Sequence, residues 1–190
     1  VGPAAARQAE RSRAADLAIV ASDPDLRANQ TLQGWLMHDA FAMHGGFGAP
    51  YEFLWANPYQ PGLSYYYLPL AYYNADFGKL FVRSSWEDSA TWLGIWDGVI
   101  QKDEGGQPTP LSPEATPQRF AAAVVAFGAS KEGFGVSLEE GQRLFVAGLA
   151  PKHAYQVEIE GRQPFEAPAD PGGIVELKPP PGKYVSIRLQ

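Results

Sequence analysis

The sequence predicts an α+β protein, mainly β, in which a helical hairpin leads through an aromatic linker into an antiparallel Ig-like β-sandwich. Three observations carry this. Apolar positions recur at helical spacing through residue 46, then from Lys79 onward short runs alternate with a period of two. Between these regions lies a Pro-broken stretch crowded with aromatic rings. Finally, 20 Gly and 17 Pro, or 37 of 190 residues, favour turn-rich β structure over a helical bundle. The resulting division is residues 1–46, 47–78 and 79–190. The length suits one domain or two small ones.

In the first stretch, eight Ala fall between Ala4 and Ala21, interleaved with Arg and Glu and uninterrupted by Pro or Gly. Ser22-Asp23-Pro24 supplies a stop and a new cap, with Asp23 and Asp25 as capping and dipole partners. Leu32, Trp35, Leu36, Asp39 and Met43 then continue at spacings of three and four until Gly45-Gly46. Two helices joined by a short turn make an αα-hairpin.

Residues 47–78 contain Pro50, Pro58, Pro61 and Pro69, which fit neither a long helix nor a central strand. From Trp35 to Trp96 lie five Trp, seven Tyr and five Phe, 17 of the chain's 24 aromatics. An irregular, well-packed aromatic layer is expected.

The strand region follows as KLFVRSS, ATWLGIW, FAAAVVAF, QRLFVAGL, AYQVEIE, GIVELK and YVSIRLQ. Tyr155, Val157 and Ile159 face one way, with Gln156, Glu158 and Glu160 opposite. Val157, Ile159, Ile174 and Ile187 are expected in the core of one sandwich, with one buried face per sheet. Lys102 to Gln118, with four Pro and two Gly, reads as a long exposed loop.

Composition excludes several classes. With 15 Lys+Arg against 21 Asp+Glu, the net charge of −6 shows no basic stripe for nucleic acid. The absence of Cys removes disulfides, thiolate metal sites and cysteine nucleophiles. No run of eighteen apolar residues predicts a membrane span. The start, VGPAAARQAERSRAADLA, has neither Met nor an apolar signal core and reads as a processed end, so a fragment of something longer is expected.

Catalytic motifs are missing. HExxH, GxSxG and the phosphate-binding GxxxxGK[ST] are absent, and His38, His44 and His153 lack metal-ligand spacing. No metal and no cofactor is expected. A glycosidase needs two carboxylates at about 5 to 10 Å. Glu87, Asp88, Asp97, Asp76, Glu139, Glu140 and Asp170 read instead as turn acids, solvated or bonded to backbone amides. Arg83 lies among Trp86, Trp92 and Trp96, where a guanidinium can stack on a ring, pair with a carboxylate or anchor an acidic ligand. Pyranose rings present apolar C–H faces to aromatic systems, and Trp55, Tyr59, Tyr65 and Trp92 are the candidate stacking residues.

Leu80, Phe81, Arg83, Ser84, Ser85, Trp86, Asp88, Ala90, Trp92 and Leu93 form a pattern that resembles a join in heparinase II/III-like polysaccharide lyases. There an α/α toroid ends in an aromatic linker and a β-sandwich begins. The closing segments GLAPKHAYQVEIE and DPGGIVELKPPPGKYVSIRLQ look like the last strands of small Ig-like modules. The resemblance implies a glycan-associated, extracytoplasmic protein of bacterial origin. It also implies a His-x-His element beyond the first strands, yet VIQKDEGGQPTP follows Gly98 with no histidine, so no family catalytic residue transfers. The expected function is therefore a carbohydrate-associated accessory fragment without catalytic residues of its own. The alternatives are a lyase or glycoside hydrolase acting in the aromatic layer, and a structural or protein-interaction domain. Expected partners are a polysaccharide or other glycan, and a preceding helical domain or a second copy docked on the aromatic surface.

Overall fold

A computed structural model describes residues 3–39, 43, 46–57, 59–128, 130–182 and 184–190. The chain is mainly β, with three helices and thirteen strands among these residues, and divides into two units, Val1–Leu68 and Pro69–Gln190. No helix among the described residues is long and apolar enough to cross a membrane.

The first unit holds α1 (Pro3–Ser22), α2 (Arg27–Asp39) and α3 (Gly48–Trp55). Ala14, Leu17 and Val20 recur every third residue of α1 and pack with Leu36 and Met43. Asp23 Oδ1 accepts from the Asp25 amide, closing the turn after α1. Asn29 then donates to the carbonyls of Ile19, in the last turn of α1, and of Asp23 just beyond it. The turn signals place a helix end at Gly45-Gly46; Gly45, like His44 and Pro58, lies outside the described residues.

The stretch expected as an irregular linker contains a third helix. Pro50 sits in the first turn of α3, where its missing amide proton would have had no intrahelical acceptor. An ion pair of 3.0 Å between Arg13 and Glu52 links α1 to α3. Two buried amides hold the segment beyond α3: Gln33 donates to Asn57 O at 3.1 Å, and Gln60 to Val20 O at 3.3 Å. A single 3-10 turn at Tyr65–Tyr67 follows.

The second unit opens with a five-stranded meander, β1 (Ala71–Asn74), β2 (Lys79–Arg83), β3 (Trp92–Trp96), β4 (Val99–Glu104) and β5 (Gln107–Pro110), paired in that order. The sheet thus starts before Lys79, inside the expected linker. Asn74 Oδ1 accepts from the amides of Asp76 and Phe77 and closes the β1–β2 turn. The long loop expected from Lys102 is also partly strand. Gly105-Gly106, both at positive φ, form the two-residue turn that joins β4 to β5. Pro108 and Pro110 are accommodated because β5 is an edge strand.

The remaining strands are β6 (Gln118–Arg119), β7 (Ala123–Phe127), β8 (Ser130–Ser137), β9 (Arg143–Ala147), β10 (Ala154–Ile159), β11 (Phe165–Pro168), β12 (Val175–Leu177) and β13 (Tyr184–Leu189). They form two four-stranded sheets, ordered β12-β9-β7-β6 and β11-β10-β13-β8. Val157, Ile159, Ile174 and Ile187 are all buried, but they do not share one core: the first two and Ile187 pack in one cluster, whereas Ile174 packs with Leu80, Leu93 and Phe145 in another. The expectation of one buried face per sheet fails for β7 and β9. Val124, Ala126, Leu144 and Val146 pack toward β10 and β13, while Ala123, Val125, Phe145 and Ala147 pack toward β2 and β3. The sheet containing them is the middle layer of three, and its two central strands are apolar on both faces. These strands also run parallel, a departure from the all-antiparallel expectation, because the chain crosses to the neighbouring sheet as β8 before returning as β9.

A polar cluster borders this core. Asp170 Oδ1 accepts from the amides of Gly172 and Ile174, each at 2.8 Å, and Oδ2 accepts from the Tyr73 hydroxyl at 3.0 Å. Burial, reinforced by the Asp170 carboxylate, pushes the Tyr73 phenol well above its usual range. Arg143 pairs with Glu176 at 2.8 Å and lies over the Phe145 ring.

Candidate functional site: an aromatic sheet face

In β1–β4 alternate residues leave the core and share the outer face. The register aligns Tyr72, Phe81, Gly94 and Gln101 in one row across the strands, with Arg83, Trp92 and Asp103 in the next. Trp96, two residues beyond Gly94, occupies the same face opposite Val99. Phe81 and Trp96 stack with ring centroids 6.0 Å apart and planes inclined by 16°. The atom Cζ3 of both Trp92 and Trp96 comes close to the position a Gly94 side chain would occupy. The two indoles therefore converge over β3. Tyr72 is 58% exposed and Phe81 38%, so the face presents rings to solvent.

Arg83 flanks this floor. Its guanidinium lies 4.7 Å from the centre of the Trp86 ring, and its Nε is buried without a hydrogen-bond partner. Stacking on a ring, one of the options open from sequence, is observed. Asp103, in the same row, is buried and accepts from the Gly106 amide at 2.9 Å, which commits it to the β4–β5 turn.

The five residues singled out from sequence fall in different units. Arg83 and Trp92 are direct partners across β2 and β3. Trp55, exposed at the end of α3, and Tyr59, 93% exposed, belong to the first unit. Tyr65 is a correction: it is only 6% exposed, edge-on to His38 at 5.8 Å and stacked on Tyr66 at 4.8 Å. The 3-10 turn directs its ring inward, so it serves packing. Phe81, Trp96 and Tyr72 were not singled out from sequence, although W-L-G-I-W already placed two indoles on one strand face with a glycine between them.

Asp170 is bound by backbone amides and the Tyr73 hydroxyl. His153 is exposed and edge-on to Tyr155 at 4.9 Å. Among the described residues no group of three or more His, Asp or Glu could hold a metal ion.

The helical unit carries a cavity of 310 Å³ lined by Ser12, Arg13, Asp16, Trp35 and Asp39. Burial raises the Asp16 carboxyl above its ordinary value, opposed by the nearby Arg13 cation. A carboxyl with a raised folded pKa stabilises the fold only while protonated, and that contribution is lost as pH rises from the unfolded value through the folded one. Asp16→Asn is therefore expected to raise the thermal midpoint at pH 7. The gain should shrink as pH falls and vanish well below about pH 4, where Asp16 is protonated in both states. Thermal unfolding of both proteins across pH 3 to 8 checks this.

Compared with protein-family models, with curated proteins and with solved structures, the chain matches none.

Proposed function

We propose that this chain is a non-catalytic carbohydrate-binding part of a bacterial envelope or secreted protein, and that the outer face of β1–β4 is its glycan platform. The observation that carries the reading is the near-parallel stack of Phe81 on Trp96, continued by Trp92 across Gly94. Exposed, mutually braced rings offer apolar area at little cost in side-chain freedom, and polar edges at Gln101 and Arg83 can address hydroxyls. The residues that resemble the heparinase II/III-like join fall on β2, the following turn and β3, and Phe81, Arg83 and Trp92 among them lie on this platform. The Ig-like reading applies to the two four-stranded sheets, whose facing sides enclose Val124, Val146, Val157 and Ile187. A lyase or hydrolase is the alternative reading; in the row of Arg83 and Trp92, the Asp103 carboxylate is committed to the β4–β5 turn.

A second reading, an interaction domain, is favoured by α3, which leaves Phe53 and Leu54 in solvent. The two readings separate by experiment. A glycan array probed with the purified chain is expected to show binding. Trp92→Ala should weaken it at least tenfold, equivalent to about 1.4 kcal/mol, with unchanged thermal stability. An array without signal would remove the carbohydrate reading.

A further inference from the structure

Helix α3 is turned inside out. A surface helix ordinarily buries its apolar stripe and leaves its charges in water. In GAPYEFLW the residues withdrawn from solvent are Gly48 and Glu52, while Ala49, Pro50, Tyr51, Phe53, Leu54 and Trp55 are exposed. Glu52, the only charged residue of the helix, is held inward by Arg13 at 3.0 Å and accepts from the Met43 amide. Phe53 is 88% exposed and Leu54 70%. Phe47, Tyr51 and Leu54 follow one another at spacings of four and three, so they share a face. The Phe47 and Tyr51 rings lie 5.2 Å apart on it.

We propose that α3 is the contact surface of a symmetric homodimer, packed antiparallel against α3 of a second copy. The proposal rests on the interaction-domain reading above and is independent of the glycan platform. Area argues for it. An aromatic side chain carries roughly 150–250 Å², so at their exposures Phe47, Tyr51, Phe53, Leu54 and Trp55 leave about 500 Å² in solvent. Two copies would bury about 1,000 Å² from these residues alone, the level a specific interface has to reach. A two-fold axis needs no second complementary surface, because the same apolar patch meets itself. Orientation follows from charge. Arg7 and Arg11 line a cavity with Phe47 at the N-terminal end of α3, the end at which the helix dipole disfavours cations. Antiparallel packing sets the C-terminal end of the second helix there, and its carbonyl groups favour those cations. A lipid surface fits less well. Interfacial helices carry Lys and Arg on their polar face, whereas the polar side of α3 is closed by the Glu52–Arg13 pair.

Sedimentation velocity of the purified chain, over a hundredfold range of concentration, is expected to show a monomer–dimer equilibrium. Phe53→Gln combined with Leu54→Gln should weaken the dimer at least tenfold. Both side chains lie in water in the monomer, so the thermal midpoint at high dilution should not fall. Because the chain has no Cys, single introduced thiols report orientation cleanly. Phe47 and Leu54 stand about 10 Å apart along the helix, beyond the roughly 7 Å that a disulfide spans between Cα atoms. A mixture of Phe47→Cys and Leu54→Cys proteins should therefore cross-link on mild oxidation, while neither links to itself. A mixture that stays unlinked, or either variant linking alone, would overturn the antiparallel arrangement. A dimer indifferent to the Phe53→Gln, Leu54→Gln pair would overturn the role of α3. A chain that stays monomeric would overturn the dimer, and its sedimentation with phosphatidylcholine–phosphatidylglycerol vesicles would assign the face to lipid. Thiol labelling of monomeric Leu54→Cys then separates the two conclusions. Fast labelling would leave α3 an open interaction surface and remove the dimer alone, whereas slow labelling would show the face covered within the chain and remove the interaction reading as well.

Discussion

Phe145→Ala is expected to destabilise the second unit by roughly 3–5 kcal/mol, enough to unfold much of a marginally stable protein. Phe145 is fully buried on the face of β9 that packs toward β2 and β3. The Tyr73 ring lies 5.0 Å away and the Arg143 guanidinium 4.8 Å from its centre. Truncation would therefore open a void and also withdraw the surface on which Arg143 rests beside Glu176. Strands on either side of β9 leave little freedom for collapse into that void. Urea unfolding followed by circular dichroism checks the magnitude. A loss below about 1.5 kcal/mol, the level of a tolerated volume-conserving change, would mean that the surrounding layers relax far more than their packing implies.

Gly78→Ala should cost roughly 2–5 kcal/mol, the sum of a left-handed backbone penalty and of forced movement in a packed region. Gly78 ends the β1–β2 turn at φ +59, and its added Cβ would lie 2.0 Å from the Gly172 backbone nitrogen. That nitrogen donates to Asp170, which also accepts from Tyr73. The methyl group would thus push apart the loop that ties the meander to the segment before β12. Gly98→Ala provides the control, because Gly98 has φ +79 but open space around it. It should show only the backbone part, about 1–2 kcal/mol. Equal losses at the two positions, measured by denaturant unfolding, would show that the close approach carries no weight.

Much of the fold was legible because some segments state their environment locally. The Ala-rich run of α1 and the Asp23 turn needed no distant partner to be read. Strand β10 alternates buried and exposed residues as its sequence alternates apolar and polar ones. What escaped was set by distant packing or by position within an element. Pro50 looked like a breaker but falls in the opening turn of α3, where it is tolerated. Gly105-Gly106 were absorbed into a Pro-rich loop, although that pair is also a hairpin signal. The apolar runs of β7 and β9 carry no alternation because neither face meets water.

The platform shows the same division. Arg83 and Trp92 could be chosen because they lie close in sequence and share an unusual chemistry. Phe81 and Tyr72 join them only through the register of β1, β2 and β3, which no single strand specifies. The Tyr65–Tyr67 run shows the converse, since three identical side chains carry no mark of which one turns inward. The turn decides it: Ser64 Oγ accepts from the Tyr66 amide, leaving Tyr65 buried and Tyr66 and Tyr67 exposed.

The double-sided middle sheet governs how the second unit can come apart. Neither outer sheet has a complete apolar interior until β7 and β9 are in place, and those two strands join only after the chain has gone out through β8 and returned. No layer can therefore be assembled first and kept as a stable intermediate. Opening one outer layer exposes the strands that also support the other. The three sheets should accordingly melt in a single cooperative step, with the amides of β7 and β9 exchanging only through global unfolding.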